Sequence, residues 1–172
     1  PAEYWVVVNN KSISNVVTGT SFPLQSIGAT SIALGRPCVF RNGITDVDLS
    51  LPVYSADGSK QYRITSIGAP FWGDKTVTSV VLPTNIVTFG MEICYGASSI
   101  TNVVLPPGLE YITSARQFTG CTSLVSVSYY GAENGEAFPH TLTNIGSGAL
   151  FRGCSSLKSR PDISRFTIIP SS

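Results

Sequence analysis

Charge is what this chain has least of. Only 12% of its 172 residues are Asp, Glu, Lys or Arg, about half the share usual in a soluble domain. The formal net charge is +1, so no basic stripe exists to hold a phosphate backbone and nucleic acid is not an expected partner. The polar surface is written in Ser, Thr and Asn instead, which repels neighbours weakly and tolerates close packing against them. A single histidine, His140, and four cysteines without a C-x-x-C spacing leave no donor set for zinc. No apolar run reaches the length of about 18 residues that a membrane helix needs, and no basic segment followed by an apolar core marks a signal peptide. Pro1 is what trimming of an initiator Met would leave, so synthesis in a cytoplasm without export is expected. G-x-S-x-G, G-x-x-x-x-G-K and H-E-x-x-H are all missing, and no enzyme activity or cofactor is expected.

What is present is a repeat. Phe118-Thr119-Gly120-Cys121-Thr122-Ser123-Leu124 returns as Phe151-Arg152-Gly153-Cys154-Ser155-Ser156-Leu157, each copy after a short apolar lead-in ending at Ile112 or Ile145. Further lead-ins are read at residues 24–28, 64–68 and 86–90, giving about five turns. Apolar strands answer them at residues 44–49, 77–83, 100–106 and 124–129, and the fifth, at 157–161, has lost its alternation. Such periodicity marks a solenoid, whose units bury their apolar side only by stacking on a neighbour. Cys121 and Cys154 hold the same repeat position; a disulfide between them and a column of packed free thiols are both compatible with that placement.

The remaining segments frame the stack. Residues 4–17 read as a β-hairpin turning at Asn9-Asn10, an N-terminal cap for the open end. Two turns carry extra residues around Asp57-Gly58 and Asn134-Gly135, both read as hairpin insertions on one rim, serving either recognition or nothing. The expected architecture is a mainly β, single-domain solenoid with a parallel sheet: cap 1–23, repeats 24–160 and tail 161–172.

The sequence of lead-in Ile-Gly, then Phe-x-Gly-Cys-x-Ser-Leu, then a strand closed by Leu-Pro resembles the BspA-like leucine-rich repeats. The resemblance covers residues 24–160 and departs at Ala69-Pro70-Phe71-Trp72, where the cysteine position is lost. It implies a leucine-rich-repeat fold and, more loosely, extracellular binding or adhesion, with no catalytic role for the shared motif residues.

Candidate site residues follow from the strand period of two, which places Val81 and Val104 side by side on the outer face, in one row with Asp48 and Ser128. Two outward β-branched residues make sense under a covering partner or under the chain's own segment 166–169. Tyr129, Tyr130, Tyr54 and Tyr62, with Trp72, are candidate contacts to a protein, or to a glycan as the second choice. Asp46 and Asp48 leave one strand face but make too few carboxylates for calcium, and His140 reads as a loop histidine. Two roles are expected from these features: a structural or decoration component of a large assembly such as a viral capsid, on the exterior of the virion, or an adhesin-like module at a cell surface or secreted.

Overall fold

Alternating residues and tight turns make strands of the N-terminal third. In the computed structural model, which describes residues 2–90, 92–114, 116–133, 135–146 and 149–168, β1 (Trp5–Val8) and β2 (Ser12–Asn15) pair antiparallel with Trp5 opposite Asn15. Asn9 and Asn10 take φ of 50° and 56°, the left-handed pair that a two-residue hairpin turn requires.

This hairpin forms as expected but is no separate cap. With β3 (Ser21–Ile27), β4 (Ser31–Leu34), β6 (Val53–Tyr54) and β7 (Gln61–Ile67) it closes a six-stranded barrel of order β1-β2-β3-β4-β7-β6, while β5 (Asp46–Asp48) leaves for another sheet. The reading of residues 24–28 and 64–68 as lead-ins of a repeat is thereby corrected: residues 24–27 and 64–67 end barrel strands β3 and β7. Only a short turn at residues 28–30 links β3 to β4, closed by Gly28 N–H on Ser31 O at 2.8 Å. So short a link joins antiparallel neighbours and cannot make a parallel crossover. Trp5, Phe22 and Phe71 stack edge to face at 5.6 and 5.8 Å, running the barrel core into the rest of the molecule.

Beyond the barrel, strands alternate between two parallel sheets. β5, β8 (Ser79–Val81), β10 (Asn102–Leu105) and β12 (Ser126–Tyr129) form one; β9 (Thr88–Phe89), β11 (Tyr111–Ile112), β13 (Asn144–Ile145) and β14 (Thr167–Ile168) form the other. In the first, Val47, Val80, Val103 and Val127 lie in one register row and are all buried. In the second, Phe89, Ile112, Ile145 and Ile168 do the same until the last, which is 48% exposed where the core ends. All four expected strands of the first sheet form, and residues 157–161 form none.

Two further expectations are corrected here. The tail does not cover the outer face of the first sheet: Thr167 and Ile168 join the edge of the second, and Ile169 lies outside the described residues. Among the described residues no hairpin strands flank Gly135; after Tyr130 the chain turns and is pinned by Phe138, buried against Phe151 and Phe166 with ring centroids at 6.1 and 5.2 Å. Asn134 lies outside the described residues. The Asp57-Gly58 insertion is a hairpin, as expected, but its strands are barrel staves.

Gly73, Gly96, Gly120 and Gly153 occupy equivalent turns with φ between 68° and 79°, a region open to glycine and costly for other residues. The amides of the first three reach the next turn: Gly73 N–H to Tyr95 O at 2.8 Å, Gly96 to Thr119 O at 2.8 Å and Gly120 to Arg152 O at 3.0 Å. The cysteines pack inside as free thiols, Cys121 Sγ donating to Cys94 O at 2.9 Å and Cys154 Sγ to Phe118 O at 3.0 Å.

Candidate functional site

The outward face of the first sheet carries two register rows. Asp48, Val81, Val104 and Ser128 form one, all half-buried, in the order the sequence predicts; Asp46, Ser79, Asn102 and Ser126 form the other. Polar side chains of the second row and its flank are bonded among themselves. Thr78 Oγ1 donates to Asp46 Oδ1 at 3.0 Å, and Ser126 Oγ donates to Asn102 Oδ1 at 2.5 Å. Asp48 Oδ1 accepts from the amide and hydroxyl of Ser50 at 2.9 and 2.5 Å. The two carboxylates thus serve separate local partners, and among the described residues no three Asp, Glu, His or Cys side chains gather as a metal would need. Val81 and Val104 lie between Asp48 and Ser128 as the apolar centre of a weakly charged face.

At the β12 end this face runs into a cleft of about 620 Å³. Asn102, Val125, Ser126 and Val127 line one side, residues 157–162 the other, and Gly135 and Ala137 close it. The cleft exists because the fifth repeat has Lys158, Ser159, Arg160 and Pro161 where earlier ones have alternating apolar residues; Pro161 also lacks an N–H for any ladder.

The tyrosines are not brought together. Tyr62 is 9% exposed inside the barrel core, so its ring is packing and the expectation of a contact residue there is corrected. Tyr54 stands on the barrel, edge-on to Tyr4 at 5.7 Å. Tyr129 sits opposite Leu105 and so belongs to the inward row; its hydroxyl emerges to donate to Glu136 Oε2 at 2.8 Å, a bond that raises its pKa. Tyr130 is 50% exposed beside it.

A second surface feature joins Trp72, a candidate contact, to three residues that sequence reasoning missed, Arg36, Tyr95 and Arg116. Trp72, 49% exposed, stacks on Tyr95 at 5.7 Å; Arg36 lies over the indole at 5.7 Å and Arg116 over the Tyr95 ring at 5.0 Å. Arg116 is tied in turn to Glu92 Oε1 at 2.8 Å. Arg36 comes from the layer before Trp72, where Cys38 N–H meets Pro70 O at 3.5 Å, and Tyr95 from the layer after. The available signal was that Trp72, Tyr95, Thr119 and Arg152 each precede the conserved-φ glycine of its turn.

None of the four cysteines is poised as a nucleophile. Burial raises the thiol pKa of Cys38, Cys94 and Cys154 and pushes that of Cys121 up to about 12, away from the thiolate that reacts. His140 is exposed, its Nε2 3.2 Å from Oε2 of Glu136, four residues earlier in the chain. No protein-family model, curated protein or solved structure matches this chain.

Proposed function

We propose that this chain is a non-enzymatic protein–protein interaction module, a leucine-rich-repeat solenoid of the BspA-like kind joined to a barrel. It serves as an auxiliary or decoration component of a large assembly such as a viral capsid, on the exterior of the virion. The observation that carries the reading is the in-register pair Val81 and Val104, apolar, half-buried and outward on a face of low charge. Covering such a pair removes apolar area from water, as at the centre of a protein interface, and the one carboxylate in its row, Asp48, already accepts two hydrogen bonds from Ser50. A protein partner is favoured over a glycan because neither outward row of this face carries an aromatic ring on which a sugar could stack.

The test is the double variant Val81→Glu with Val104→Glu. Its circular dichroism should match the unsubstituted protein, because both side chains point outward, while co-purification with the native assembly is abolished. Normal incorporation of a folded double variant would refute the reading of this face.

A further inference from the structure

β12 ends its sheet, with β10 as its one strand neighbour among the described residues. An end strand presents a row of unpaired backbone N–H and C=O groups, a template for one more strand. In most proteins such an edge is covered or broken; here the segment that succeeds it, residues 157–161, stands off and leaves the cleft between. Val125, Ser126 and Val127, the residue before β12 and the first two of the strand, line that cleft, so the N-terminal half of the edge is open and not one side chain alone. The cleft measures about 620 Å³ and opens to solvent, room for a short extended segment laid beside that edge.

We infer that the β12 edge and its cleft receive an extended acidic segment of a partner protein as a fifth strand of the first sheet. The incoming strand continues both faces. Its inward residues are apolar, extending the row Val47, Val80, Val103, Val127 over half-buried Leu157. Its outward residues continue the row ending at Ser126. The far wall sets the charge: Lys158 and Arg160 are exposed and in no ion pair among the described residues, whereas Asp162, the one acid there, is already held by the amide of Ser164 at 2.9 Å. Outward or flanking carboxylates therefore find two free cations, and outward lysines would be repelled. Backbone bonding supplies affinity and the alternate side chains supply selectivity, as in other strand-addition complexes.

This inference rests on the reading of the chain as a protein-binding module and deepens it. The probe is acetyl-Ser-Val-Glu-Val-Glu-Val-Ser-amide titrated into the full chain, with its Lys-for-Glu counterpart as control. The acidic peptide should bind at least tenfold more tightly than the basic one and slow amide exchange in residues 125–129. Lys158→Glu with Arg160→Glu should invert that preference. Two further peptides carry N-methyl groups, one on its valines and one on its glutamates; whichever loses the donors facing β12 should fail to bind. Absence of binding by the acidic peptide, an unchanged preference in the charge-reversed variant, or equal binding by both N-methylated peptides would each overturn the proposal. Val81→Glu with Val104→Glu leaves this cleft untouched, so peptide binding that survives in that variant while incorporation is lost separates the two surfaces. Loss of the peptide alone would sink the strand-addition site and leave the outward face standing.

Discussion

Replacing Gly58 and Gly120 by larger residues separates the cost of a backbone angle from the cost of stacking. Both glycines have left-handed φ, +74° and +79°. A Cβ on Gly58 would meet nothing within 4 Å, whereas one on Gly120 would meet Gly96 Cα at 3.4 Å and Gly96 N at 3.7 Å. Gly58→Ala should therefore lose only the angular term, about 1–2 kcal/mol. Gly120→Ala adds a contact at the close edge of the ordinary range, so the two alanine variants should differ little. Valine changes the comparison. Its methyl groups lie beyond Cβ, in open solvent at position 58 and against the backbone of the previous turn at 120, where overpacking costs about 1–3 kcal/mol more. In a chain of this size about 1 kcal/mol shifts Tm by roughly 2–4 °C, so Gly120→Val should melt visibly below Gly58→Val under calorimetry. Equal melting of the two valine variants would show that the glycine turns do not touch as described and would refute the stacking.

Two other perturbations test the core. Leu124→Ala, at a fully buried site, should cost about 2–5 kcal/mol; Leu157→Ala, half-buried beside the cleft, should cost clearly less in the same urea titration, and equality would place Leu157 inside the core. Burial lifts the buried thiols, Cys121 up to about 12, so the folded chain keeps protons that an unfolded chain releases above pH 9. Stability should be insensitive to these groups below that pH and fall as pH rises from about 9 towards 12, a slope that Cys121→Ala reduces, while reductant leaves Tm unchanged because the four cysteines are free.

The stacked strands were legible because the chain prints them at nearly constant spacing: Val80, Val103 and Val127 recur 23 and 24 residues apart, and a period of two then fixes which neighbours face out. The Val81 and Val104 row followed from that arithmetic. The barrel was not legible because its closure is non-local. Trp5 pairs with Val53 and Ile32 with Ile64, and no local pattern distinguishes such strands from a lead-in such as Leu142 to Gly146, which shares with them an aliphatic residue three before Ile-Gly. The insertion after β12 was misread for another reason. Gly135 does take a left-handed φ of 72°, but burial of Phe138 against two rings outweighs any hairpin the turn could nucleate. Tyr62 was misassigned because alternation in residues 61–67 gives a strand without saying that its inward side is a closed barrel.

The two ends of the first sheet are unlike, and that fixes how many partners its edges can take. At β5 the Trp5 indole N–H is spent on Asp48 O at 2.8 Å, with the barrel standing over that end. At β12 the edge is bare. Growth of a strand-on-strand filament needs each subunit to offer two complementary ends so that every addition regenerates a site. A sheet sealed at one end and open at the other is monovalent, taking added strands at one end alone. Growth through this sheet should therefore stop at a discrete complex, with the barrel acting as the stop that keeps its exposed edge from becoming a seed for fibres.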